Sequence, residues 1–175
     1  MFGDVNPGGR LPVTFPAAEN QVNMTQENWP GINGYSMYTE RLLIGYRWYN
    51  AHKAAPAYAF GHGLSYTTFK YSDLTVTGRT VTCKIANVGG VFGSEVPQLY
   101  LGFPTSAGEP PMQLKGFSKL HLAAGETATA TFTLDDRSFS IWDVNSHAWT
   151  VVKGQFSVFV GASSADIRLT GTISS

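Results

Sequence analysis

Two carboxylates held on opposite sides of a glycosidic bond are enough to hydrolyse it, and this 175-residue chain carries twelve. Most sit in turn-like sequence, where solvation or capping is their ordinary role. Glu40, inside the aromatic run YSMYTERLLIGYRWY, has the most suggestive surroundings, although Arg41 and Arg47 are at hand as ion-pair partners. Asp73 and Asp143, the latter beside Trp142, are the residues that could complete a pair with it. Nothing in the spacing places any two of the three at the roughly 5–10 Å separation the mechanism needs.

Other chemistries find less support. His62 and Ser65 stand close together in FGHGLSYTTFKYS (60–72), but a nucleophile and its base normally meet from distant parts of a chain. No G-x-S-x-G elbow is present, so the pair reads as a hydrogen-bonded corner. The four histidines, His52, His62, His121 and His147, have no partner at metal-ligand spacing. The Gly-rich stretches lack the lysine and helix of a phosphate-binding loop. No metal and no cofactor are therefore expected. Trp142 and Trp149 flank a hairpin turn at NSH and could stack on sugar rings if exposed. The single cysteine, Cys83, allows no intrachain disulfide, and the alternation of TVTCKIANV makes it a small buried residue.

The elements that must hold these residues change in character near residue 70. Before it, prolines exclude a helix interior from NPGGRLPVTFP (6–16) and leave RLPVTF at most a short or edge strand. ENQVNMTQENWPGINGYS reads as a long polar loop, and ERLLIGYRWYN (40–50) as a helical turn or two weakened by Gly45. After it, apolar residues recur every second position: Val81, Cys83 and Ile85; Ala128, Ala130, Phe132 and Leu134; Phe156, Val158 and Val160. EVPQLYLGF is a strand whose proline implies a bulge or an edge. Seven or eight short strands with regularly spaced turns predict a mainly β fold, an antiparallel immunoglobulin or fibronectin type III-like β-sandwich with an irregular N-terminal arm. Trp29, Tyr35, Tyr38, Tyr46, Trp48 and Tyr49 of that arm need a surface to cover, and one face of the sandwich is the expected one.

Bulk composition narrows the function. Hydrophobic residues are 43% and charged residues 14%, which fits a packed globular chain rather than a disordered one. Twelve basic residues balance twelve acidic ones with no Lys/Arg run, so nucleic acid is not an expected partner. No apolar run reaches the roughly 18 residues of a membrane span. MFGDVNPGGR has no apolar signal-peptide core.

Several long stretches, taken in order, resemble the C-terminal part of glycoside hydrolase family 3 enzymes, β-glucosidases and β-xylosidases in particular. FGDVNPGGRLPVTFP is similar to a stretch late in the family's α/β sandwich domain, with Gly8 where Ser is usual. YTERLLIGYRWYN resembles the family's Y-x-E-G-L-x-x-G-Y-R-x-Y-D through Tyr38, Glu40, Gly45, Tyr46 and Arg47, with Arg41 and Asn50 departing from it. FGHGLSYTTFKYS resembles the family's junction into its fibronectin-like domain, and IANVGGVFGSEVPQLY, LKGFSKLHLAAGE and GQFSVFVGASSADIRL extend the likeness to the C-terminus.

The resemblance implies a division into 1–60, a remnant of the α/β domain, 61–72, a junction, and 73–175, the sandwich. It also implies that no catalytic residue is present. The family's nucleophile is an Asp in a Ser-Asp-Trp context in a barrel domain, and its acid/base Glu lies upstream of the GDVNP stretch. Neither maps onto this chain. The expected role is a non-catalytic fragment or accessory module of a β-glucosidase. Its expected partners are the catalytic domains, or a second copy meeting through the bared docking face. The alternatives are a minimal β-glucosidase using Glu40 with Asp73 or Asp143, and a carbohydrate- or lignin-binding module using Trp142 and Trp149. The family's enzymes are often secreted or periplasmic.

Overall fold

The computed structural model describes residues 3–175. Its larger part is an antiparallel β-sandwich. One sheet has three strands in the order β1 (Phe69–Thr77), β2 (Thr80–Asn87), β7 (Thr127–Thr133). The facing sheet has four, in the order β11 (Asp166–Ser174), β10 (Gln155–Ser163), β4 (Gln98–Gly102), β5 (Gln113–Phe117). Two small ribbons complete it: β3 (Gly93–Glu95) with β6 (Leu120–Leu122), and β8 (Ser140–Asp143) with β9 (Ala148–Val151).

The period-two pattern predicts the core correctly, because alternate strand residues point to opposite faces. Val81, Cys83 and Ile85 of β2 are buried and lie opposite Phe132, Ala130 and Ala128 of β7. Phe156, Val158 and Val160 of β10 face them from the other sheet within one core cluster, with the threonines of β7 left on the outside. Burial pushes the Cys83 thiol up to about 11, which leaves it an inert core residue.

EVPQLYLGF is neither one continuous strand nor an edge, although its pairing with β5 does slip in register between Leu99 and Tyr100. The chain breaks at the buried Pro97, with β3 before it in the small ribbon and β4 after it in the four-stranded sheet. β4 is fully buried and lies between β10 and β5. MQLKGFSKLHL breaks likewise between β5 and β6. Proline has no N–H to give a ladder, so the pair of strands changes sheet at this corner, where Ser118 N–H donates to the Pro97 carbonyl.

The arm is irregular, as expected. RLPVTF makes only an isolated bridge from Phe15 to Tyr58. The helix α1 (Tyr46–His52) starts after Gly45 instead of running through it. Gly45 has φ 59°, ψ −132°, a backbone conformation side chains oppose, so Glu40–Ile44 stay in turns.

Only part of the arm's aromatic set covers the sandwich. Tyr49 is buried, and Tyr46 stacks on Phe60 at 4.8 Å and meets Tyr100 of β4 edge-on at 5.8 Å. Trp29, Tyr35 and Tyr38 do not dock: they are 73%, 77% and 79% exposed. Their loop is tied to itself. Asn28 accepts from Thr25 and donates to the Met37 carbonyl and Thr39 Oγ1. These bonds fix the loop's shape without any contact with the sandwich.

Candidate functional site

The three carboxylates with catalytic potential sit on three separate pieces of the fold. Glu40 lines a cleft of about 440 Å³ in the arm, together with Trp48, His52, Asn23 and Asn28, and no second carboxylate lines it. Asp73 lies at a β-bulge of β1, where the register to β2 slips between Ser72 and Thr75 and Asp73 itself takes φ 52°. Its carboxylate pairs with Lys84 at 2.9 Å. Asp143 caps the β8–β9 turn, accepting from Asn145 N–H and Ser146 Oγ. Those bonds hold its carboxyl below the usual range, the opposite of what a general acid at neutral pH requires.

Ser65 and His62 form no nucleophile–base pair. Ser65 Oγ donates to Asn6 Oδ1 at 3.1 Å and accepts from Thr67 N–H, while the His62 ring lies against Tyr58. A different Ser–His contact, not suggested by local sequence, does form: Ser94 Oγ and His121 Nδ1 are 2.9 Å apart across β3–β6. A working dyad needs its imidazole oriented by a third group. His121 has no other hydrogen bond among the described residues; its ring lies parallel to Phe92. Among the described residues no three His, Cys, Asp or Glu side chains gather as a metal site, and no helix is long and apolar enough to cross a membrane.

Trp142 and Trp149 face each other directly across β8–β9, with ring centroids 5.5 Å apart at 61°. They are 47% and 46% exposed. The Arg137 guanidinium lies over the Trp149 ring, so one indole face there is already occupied.

The most organised polar arrangement is the seam between arm and sandwich, and local sequence reasoning missed it. Arg10 Nη2 meets Glu95 Oε1 at 2.6 Å, with both side chains nearly shielded from solvent; the same oxygen accepts from Val96 N–H. Gln98 Nε2 donates to the carbonyls of Gly61 and Ala162, and Tyr100 donates to Gln98 Oε1. Gly61 has φ 82°, and a Cβ there would run into the Gln98 carboxamide. Asn87, buried, accepts from Thr67 Oγ1 and donates to the carbonyls of Val91 and Leu122. Residues 61–67 are thus tied by hydrogen bonds to Asn6, Asn87 and Gln98, and the first strand begins just after them, at Phe69. A buried pair 85 residues apart such as Arg10–Glu95 leaves no mark on local sequence.

Comparison with known proteins places these features. Residues 1–66 match the glycosyl hydrolase family 3 C-terminal domain, and residues 95–164 the fibronectin type III-like domain. A probable β-glucosidase D of Aspergillus niger is 42% identical over 98% of the chain. A β-glucosidase of Streptomyces venezuelae, solved with D-glucose, superposes with TM-score 0.94 at 39% identity over 99% of the chain. The β-D-glucoside glucohydrolase of Trichoderma reesei gives 0.88 at 42% over 98%. The chain spans only about a quarter of these proteins: 26%, 23% and 27% of their lengths. With both of its parts matched in order and nearly all of its length shared with β-glucosidases, the chain belongs to glycosyl hydrolase family 3 and corresponds to the C-terminal region of the family's β-glucosidases.

Proposed function

We propose that the chain is a non-catalytic structural module of a family 3 β-glucosidase, an enzyme that hydrolyses terminal β-D-glucosides. Its work is to buttress the catalytic domains. In this reading residues 1–60 are the edge of the preceding domain, 61–72 the junction and 73–175 the sandwich.

One observation carries the proposal. The arm bares Trp29, Tyr35, Met37, Tyr38, Leu42 and Ile44 in one short segment, each at least 48% exposed, while its other face is fixed to the sandwich through Arg10, Tyr46 and Gln98. A concentration of large apolar side chains on a hydrogen-bonded loop is the mark of an interaction face. The test is to mix the purified chain with the catalytic portion of a family 3 β-glucosidase expressed separately. A stable complex is expected, weakened by the joint substitutions Tyr35→Ser and Tyr38→Ser. Absence of any complex, or a complex indifferent to those changes, overturns the assignment.

A second contact, with polysaccharide, is favoured by the half-exposed Trp142–Trp149 pair. Retention on insoluble cellulose or xylan that disappears in Trp142→Ala and Trp149→Ala supports it. No retention, or retention unchanged by either substitution, dismisses it.

A further inference from the structure

We propose that Asn33 and Gly34 form a site of spontaneous chain modification at the tip of the arm's exposed loop. The Gly34 nitrogen attacks the Asn33 carboxamide, and the isoaspartate that results takes the loop out of its docking shape. The consequence for docking rests on the role proposed above; the chemistry does not.

The turn explains why these two residues stand together. Ile32 N–H donates to the Tyr35 carbonyl at 2.9 Å, and Tyr35 N–H to the Ile32 carbonyl at 3.0 Å. Asn33 and Gly34 are the two residues left between them. Their φ values are 53° and 80°, and a two-residue turn with both φ positive selects Asn-Gly. The stem below is tied by Met37 N–H on the Glu27 carbonyl, Gly31 N–H on the Gln26 carbonyl and the bonds of Asn28. The tip has only its own two bonds.

The same pair is arranged for an internal reaction. Both residues are exposed. Among the described residues, neither the Asn33 carboxamide nor the Gly34 N–H takes part in a hydrogen bond. Nothing lies within 4 Å of where a Cβ on Gly34 would stand, so nothing shields the nitrogen. Glycine also leaves the backbone free to swing toward the carboxamide. Of the eight asparagines, no other precedes a glycine. The side chains of Asn6, Asn20, Asn28 and Asn87 are already engaged in hydrogen bonds.

The steps balance with water as the only co-reactant. Base takes the Gly34 N–H proton, a bond forms from that nitrogen to Asn33 Cγ, and the Cγ–Nδ2 bond breaks to release ammonia. The product is a five-membered succinimide. Water opening it at Cγ leaves aspartate in the ordinary linkage. Water opening it at the backbone carbonyl leaves isoaspartate, with the main chain running through the side-chain carbons. In both cases an amide and water have become a carboxylate and ammonium.

Isoaspartate lengthens the backbone of the turn by a methylene, so the two bonds between Ile32 and Tyr35 no longer close. It also sets a carboxylate next to Tyr35, which is 77% exposed, among the apolar side chains of the docking face. Burying that charge opposes docking.

The experiment holds the purified, folded chain in mildly alkaline buffer until a urea-unfolded sample has converted half of its Asn33. Peptide mass spectrometry reads the exchange of ammonia for water, and enzymatic methylation reads isoaspartate. Conversion at Asn33 in the folded chain is expected, at least about tenfold faster than at Asn145, where Ser146 places a Cβ beside the attacking nitrogen. Mildly acidic buffer stops it, because the amide nitrogen attacks only after losing its proton. Asn33→Gln, which would have to close a six-membered ring, forms none. The aged chain binds the separately expressed catalytic portion roughly tenfold more weakly than the fresh chain. Fresh Asn33→Asp, which adds the charge without the methylene, loses less than about fivefold.

A folded chain that keeps Asn33 intact through the incubation overturns the proposal, as does an unfolded sample that never converts it. Conversion at Asn33 no faster than at Asn145 overturns it too. Aged chain that docks as tightly as fresh chain refutes the effect on the loop and leaves the docking role standing. Fresh chain that does not dock refutes that role, while the mass readout still decides the modification.

Discussion

Replacing Arg10 with Met strands a carboxylate. Glu95 is 3% exposed and keeps the Val96 N–H as a hydrogen-bond donor, but it loses the guanidinium 2.6 Å away. Removing one partner of a buried pair leaves an uncompensated charge and costs about 3–5 kcal/mol. In a domain of this size each kcal/mol lowers the melting temperature by about 2–4 °C, so the expected fall is about 6–20 °C. The loss is local in origin. Arg10 belongs to the arm and Glu95 to β3, so the arm should also be cut sooner by protease than the sandwich. The double variant Arg10→Met/Glu95→Gln removes the charge and recovers at least half of the loss. Thermal melts by circular dichroism, with limited proteolysis alongside, read both effects. A fall of less than about 2 °C refutes the reasoning, as does a double variant no more stable than Arg10→Met alone.

Three further outcomes follow from the same structure. Gly61→Ala forces a side chain into a left-handed φ of 82° and against Gln98, so it should cost about 1–3 kcal/mol and loosen the joint, seen as faster amide exchange around 60–68. Asp143 has its folded pKa held below the unfolded one by bonds from Asn145 and Ser146. Its contribution to the β8–β9 turn is therefore present above the ordinary carboxylate pKa of about 4 and lost as pH falls through the lower folded value. Tryptophan fluorescence should report that loss in the native chain, and Asp143→Asn should abolish the pH dependence. The lone chain should self-associate through its bared arm: light scattering should show a concentration-dependent rise in mass, reduced by Trp29→Ser with Tyr35→Ser, and a strict monomer counts against it.

The sandwich was legible because its core is written in local alternation. Val81, Cys83 and Ile85 announce β2 without reference to anything else, and Phe156, Val158 and Val160 do the same for β10. The Trp142–Trp149 hairpin was legible from a turn flanked by two short β-patterns. What escaped local sequence depends on distant partners. The sheet change at Pro97 requires knowing that β3 pairs with β6 while β4 pairs with β10. The bulge that gives Asp73 a positive φ follows from the register of β1 on β2, not from the residue type. The seam depends on Arg10 meeting Glu95 and Gly61 meeting Gln98, contacts that close only when the arm folds back. The expectation that all the arm aromatics would cover the sandwich failed at Trp29, Tyr35 and Tyr38, because Asn28 satisfies their loop internally.

The central claim is that the chain supports a glycosidase without performing its chemistry. Turnover of an aryl β-D-glucoside by the purified chain alone tests it most directly. The account predicts no hydrolysis above the buffer rate, with Glu40→Gln indistinguishable from the native chain. Saturable turnover that survives purification and disappears in Glu40→Gln would contradict it.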